Sequence, residues 1–121
     1  MDLSIPRDGF RRRLVVRRGG EFVAVPAAEA AYFYSDDKLT FLVARDAQRY
    51  LLDSPLAELE SGLDPREFFR LNRQYLASAS AIASFRPIGK GKLLVELSPK
   101  ARTEVIVSQE KAGPFRAWLS Q

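Results

Sequence analysis

The chain has 121 residues, enough for one domain with a real core, and its 46% hydrophobic and 28% charged residues are those of an ordinary soluble globular protein. With no cysteine or histidine it lacks a disulfide framework, thiol chemistry, the commonest metal ligand and the commonest general base, and no apolar run is long enough to span a bilayer. The net charge of +4 is unevenly spread, with Arg7, Arg11, Arg12, Arg13, Arg17 and Arg18 crowding the start of the chain while acidic residues gather between Asp53 and Glu67. Such a sided charge favours a polyanion against one surface.

In chain order, residues 1–10 (MDLSIPRDGF) contain no apolar core of signal-peptide length and are expected to be loosely ordered. The expectation is one domain over 11–121, in a cytoplasmic protein or a domain excised from one. Residues 11–25, RRRLVVRRGGEFVAV, predict a hairpin turning at Gly19-Gly20. Pro26 ends its second strand and a short turn over Ala27 to Ala30 follows. The aromatic run AYFYS (31–35), the polar turn Asp36-Asp37-Lys38 and LTFLVA (39–44) predict a second hairpin, and Arg49 to Asp53 a third short strand. Ser54-Pro55 resembles a helix cap and first helical position, with Leu56, Leu59 and Leu63 along one face up to Gly62.

Asp64-Pro65-Arg66-Glu67 matches a capping box, which predicts a turn of helix that delivers Phe68 and Phe69 to the interior. Ile82 to Ile88 and Lys92 to Leu97 form a β pair around Gly89-Lys90-Gly91. Glu104 to Val107 is the last strand, and Ser108 starts a final helix carrying Phe115, Trp118 and Leu119. The closely spaced meander predicts a small, mainly β architecture.

Catalysis finds little support. Asp36, Asp37, Asp46, Asp53 and Asp64 sit in turns or at helix starts, where their ordinary work is to accept backbone hydrogen bonds. Asp36-Asp37 alone lacks the oxygen count a magnesium or calcium ion asks for, and no glycine-rich loop joins a strand to a helix. The chain is read as a non-enzyme with no cofactor and no metal.

The Arg11 to Arg18 cluster has two readings, charges that keep an edge hairpin soluble or contacts to phosphate, the latter centred on Arg17 and Arg18. Tyr32, Phe33, Tyr34 and Phe41 alternate within β-runs and are expected in the core; exposure of Tyr32, Tyr34 or Tyr75 on one face would instead suit single-stranded nucleic acid.

Polar residues at strand-to-loop junctions form the sharper pattern: Lys38, then Arg70, Asn72, Arg73 and Gln74, then Gln109 with Lys111. Each type suits duplex DNA, since Arg bridges guanine O6 and N7, Asn or Gln pairs with adenine, and Lys neutralises phosphate. Each taken singly is also an ordinary solvated loop residue, and only convergence of the three loops would make a reading head.

The order of elements and several blocks resemble the LytTR DNA-binding domain of bacterial response regulators. YFYSDDKLTFLV is similar to the family's aromatic strand and acidic-basic turn, and SPLAELE to its short helix. FFRLNRQYLASASAI matches its segment of the form F-x-R-x-H-R-x-Y-I-V-N, and Val107-Ser108-Gln109 its closing V-S-R. The likeness runs from about Val15 to Leu119.

It implies an elongated arrangement of short antiparallel β-sheets with short helices, whose loops enter successive major grooves of double-stranded DNA at paired direct repeats. It further implies an N-terminal receiver domain in the full-length protein and a homodimer on DNA. By position, Lys38 or Asp37 falls in the first DNA-facing loop, Asn72 and Arg73 in the central one, and Gln109 in the last. Arg70, Gln74, Arg17 and Arg18 are expected phosphate contacts.

Asn72 stands where the family favours histidine, Ser78 where it has asparagine and Gln109 where it has arginine, with Lys111 near enough to supply that charge. The alternative to DNA binding is a small β-domain that contacts another protein through its aromatic hairpins and exposes an apolar patch.

Overall fold

The computed structural model describes residues 9–121, so most of the expected loose segment 1–10 lies outside the described residues. Among these residues ten strands make two antiparallel sheets. The larger has the order β2-β1-β5-β4-β3-β7-β6, from β1 (Arg13–Arg18), β2 (Glu21–Pro26), β3 (Ala30–Asp36), β4 (Leu39–Ala44), β5 (Arg49–Leu52), β6 (Phe68–Arg70) and β7 (Tyr75–Ser78). The smaller runs β10-β9-β8, from β8 (Ile82–Gly89), β9 (Lys92–Leu97) and β10 (Val105–Val107). Helix α1 (Leu56–Gly62) and helix α2 (Gln109–Leu119) complete a mainly β fold.

The aromatic strand β3 explains the layering. Side chains alternate across a strand, so a run buried throughout must have both its faces covered. Tyr32 and Tyr34 enter a core with Val95, Val105, Val107, Phe115 and Trp118, from the small sheet and α2. Phe33 points the other way, into a core with Leu14, Leu42, Leu56, Leu59 and Leu63, which α1 caps. The predicted apolar face of α1 is therefore buried. So are Tyr32, Tyr34 and Tyr75, at 2%, 6% and 3% exposure, which removes the single-strand stacking platform. Two hydroxyls stitch the layers, Tyr32 donating to the Lys100 carbonyl at 3.2 Å and Tyr75 bonding the Thr103 hydroxyl at 2.9 Å, while that of Tyr34 accepts from Arg49 of the same sheet at 2.8 Å.

Two local expectations are corrected. Pro55, not Ser54, is the N-cap of α1, and no side chain caps that helix. The stretch after Asp64 is one hydrogen-bonded turn rather than a helix: the Glu67 and Phe68 amides both donate to the Asp64 carbonyl at 3.0 Å, and Asp64 Oδ1 accepts from the Arg66 amide at 2.9 Å. The Arg66 guanidinium beside that carboxyl holds its pKa below the ordinary value. Phe68 and Phe69 lie half-buried on β6, because Phe68–Arg70 pairs with Leu76–Ser78 and the ladder outweighs the helix-start signal. Phe68 still packs on Phe33 and Phe69 on Trp118, with ring centroids 6.0 and 5.1 Å apart.

Burial, then the neighbouring Tyr75 and Tyr34, push the Tyr32 hydroxyl from 10.0 up to about 12. A folded pKa above the unfolded one means the neutral phenol's contribution is whole below pH 10 and is lost as the pH rises towards 12. Denaturant titrations across that window should therefore show the parent losing more stability than Tyr32→Phe, which has no proton to release.

Candidate nucleic-acid interface

Three loops carry the polar residues that sequence singled out, and backbone geometry fixes each. The first joins β3 to β4 through two residues, Asp37 and Lys38, with φ of 49° and 67°. A two-residue turn with both central residues left-handed matches the twist of its strands, and Asp tolerates that region better than most residues. Lys38 occupies it without that advantage, and its exposed side chain makes no ion pair among the described residues.

The central loop, residues 71–74, is organised by Asn72. Its Oδ1 accepts from the Gln74 and Tyr75 amides at 2.8 and 3.0 Å, while its Nδ2 donates to the Ile106 carbonyl of β10 at 2.9 Å. Three of the four bonds a primary amide can make are thus committed within the protein. Arg70 braces the same loop by donating to the carbonyls of Asn72 and Arg73, at 2.8 and 3.0 Å, and to Glu60 at 3.2 Å. The Ser35 amide donates to the Gln74 carbonyl at 2.9 Å, which ties this loop to the first hairpin. Arg73 is left exposed, its guanidinium unpaired among the described residues.

The third loop is the start of α2. Gln109 is exposed at the first helical position, and its stem lies against the β8–β9 turn so closely that a methyl group on Gly91 would sit 2.6 Å from Gln109 Cγ. Lys111 turns inward, donating to the Arg70 carbonyl at 2.9 Å with its ammonium 5.9 Å from the Phe69 ring centre.

The loops are therefore linked in series, through Ser35 to Gln74, Asn72 to Ile106 and Lys111 to Arg70. Lys38, Arg73, Arg70 and Arg17 also line one surface depression of about 570 Å³. The expected site residues divide into two groups. Asn72, Arg70 and Lys111 are spent on internal bonds, and Arg17 pairs with Asp53 at 2.8 Å. Arg18 bonds Gln48 and lies over the Tyr50 ring at 5.5 Å. Lys38, Arg73, Gln74 and Gln109 keep exposed side chains, whereas Ser78 is buried in β7. Lys90, on the turn that Gln109 touches, and Lys92, which opens β9 beside it, are also exposed. The repeated Gly-Lys of residues 89–92 is the sequence signal for these two lysines, and it marks a turn as well.

Among the described residues no three acidic side chains converge as a metal site, and no helix is long and apolar enough to cross a membrane. Two packed antiparallel sheets with basic loops tied together by hydrogen bonds define a small, mainly β domain. A family model of the LytTr DNA-binding domain matches residues 20–120, and the chain belongs to that family. A similar solved structure is the LytTr DNA-binding domain of a protein described as a methyl-accepting/DNA response regulator from Bacillus cereus. At 22% identity it covers 92% of this chain and 99% of its own, with a TM-score of 0.78. No curated protein sequence matches.

Asn72→Ala would strand two loop amides and the Ile106 carbonyl. It is expected to cost about 1–3 kcal/mol in denaturant unfolding, scaled to one unsatisfied group. Asn72→His should retain most of that stability, since imidazole can accept with one ring nitrogen and donate with the other.

Proposed function

We propose that this domain binds double-stranded DNA in a sequence-dependent way, as the output domain of a bacterial response regulator. The observation that carries the reading is the linked set of three loops in a member of a DNA-binding family, with Lys38, Arg73 and Gln109 presented and uncommitted. Arg73 and Gln109 offer the hydrogen-bonding groups that read base edges in a major groove, and Lys38 supplies charge to phosphate. Lys90 and Lys92 extend that charge beside Gln109 and replace Lys111, which is engaged with Arg70.

Asn72 and Arg70 become positioning residues that hold Arg73 rather than contacts themselves. Gln74, Arg17 and Arg18 remain at the margin of the interface, the two arginines with part of their charge already engaged. The same reading places a receiver domain before this one in the full-length protein and paired repeats in the DNA.

Binding to promoter fragments, followed by fluorescence anisotropy over a salt series, should weaken with a log-log slope of about −0.9 per phosphate neutralised. A slope near zero would overturn the proposal. Arg73→Ala should cost about 1–3 kcal/mol on the preferred site and flatten discrimination at one base position. Lys90→Ala and Lys92→Ala should weaken all sequences alike and each reduce the slope by about one unit.

A further inference from the structure

β2 is an outer strand of the large sheet, and among the described residues its free edge lacks the usual protection. The other outer strand, β6, has only three residues, as has β10 in the small sheet. β8, also an edge, carries Arg86, Pro87 and two register shifts, devices that discourage pairing with another chain. Between Glu21 and Pro26, β2 reads Phe22-Val23-Ala24-Val25, with no charge and no proline.

The bonding pattern shows which groups this edge offers. Gly19-Gly20 is a two-residue loop, so Arg18 and Glu21 exchange both backbone bonds, and pairing alternates from there. Arg18, Val16 and Leu14 bond to Glu21, Val23 and Val25, and the Ala27 amide continues the series to the Arg12 carbonyl at 2.8 Å. By the same alternation, Phe22 and Ala24 direct their amides and carbonyls away from β1, to the open side. Their side chains lie on the outer face with Val15, and Phe22 and Val15 are 70% and 66% exposed.

We infer that two copies of this chain associate through β2, antiparallel about a two-fold axis at Val23, making one continuous sheet. That register sets Phe22 opposite Ala24 of the second copy and the reverse, so four backbone bonds form, the most any register allows. Centring on Phe22 leaves two, because Gly20 lies in the turn; centring on Ala24 reaches four only through the Pro26 carbonyl, which has no amide beside it to return the bond, and it sets Phe22 against Pro26 instead of the small Ala24.

The side chains agree with this register. A large ring faces a small methyl twice, and on the outer face each row runs Arg17, Phe22, then Ala24 and Val15 of the second copy. Apolar groups thus meet at the centre, and the arginines, each paired with Asp53, lie outside. No like charges oppose, since Glu21 faces Val25 of the second copy. One six-residue strand per copy is a small contact, so the association is weak and depends on concentration.

The test uses the full chain without DNA and so stands apart from the DNA-binding reading. Sedimentation velocity over a concentration series should show reversible dimerisation, and amide exchange should show Phe22 and Ala24 gaining protection as concentration rises. Ala24→Pro removes an outward amide without touching the β1 ladder, and it should abolish both effects while leaving the circular dichroism spectrum and unfolding midpoint near those of the parent. Phe22→Lys, a charge on the same edge, should do likewise. A parent chain that stays monomeric throughout would overturn the inference, as would a dimer that survives both substitutions. Concentration-independent protection of Phe22 and Ala24 would also overturn it, because the chain's own segment would then be covering the edge.

Discussion

A single planar amide ties the central loop to both sheets, over the apolar core that packs them together. Asn72 stands between β6 and β7 of the large sheet, yet its Nδ2 reaches β10 of the small one while its Oδ1 gathers two amides of its own loop. The outgoing bond sets where α2 begins relative to the central loop, and the incoming pair sets the shape of the loop itself. Lys111 reinforces this from the helix side through the Arg70 carbonyl, and the phenols of Tyr32 and Tyr75 do so deeper in the core. Histidine, which the family resemblance favours at this position, has the same pairing of donor and acceptor on one rigid side chain. Asparagine can thus take its place without dismantling the joint.

The basic residues show a division of labour that net charge conceals. Arg70 and Lys111 are architectural cations: each neutralises carbonyl dipoles at loop or strand ends, and Arg70 adds an ion pair with Glu60. Their long stems pack while their heads are consumed. Arg73, Lys38, Lys90 and Lys92 lie beside them in sequence or space with exposed side chains. The first group thus holds the loops from which the second projects.

Most of the fold was legible because its signals are local. Gly19-Gly20, Asp36-Asp37-Lys38 and Gly89-Lys90-Gly91 mark turns by backbone preference alone, and the hairpins they close match their expected spans within a residue or two. What escaped depends on partners far along the chain. β6 carries a helix-start pattern upstream, and only pairing with β7 makes it a strand. The internal bonding of Asn72 escaped too, because it needs Ile106, 34 positions away, to be brought against it. Lys111 looks free until α2 folds back on Arg70, 41 positions earlier. Sequence reasoning located the loops, but tertiary contacts decide which of their side chains remain unspent.

The contact between Gln109 and Gly91 bears on how such a domain could change its target. Any new residue at 109 must lay its stem across a turn that tolerates no side chain at 91, where φ is 76°. The two positions are therefore sterically coupled, and substitutions at 109 alone would sample only side chains compatible with a bare glycine. Varying both together, with the turn's lysines retained, would open preferences that single-site libraries cannot reach.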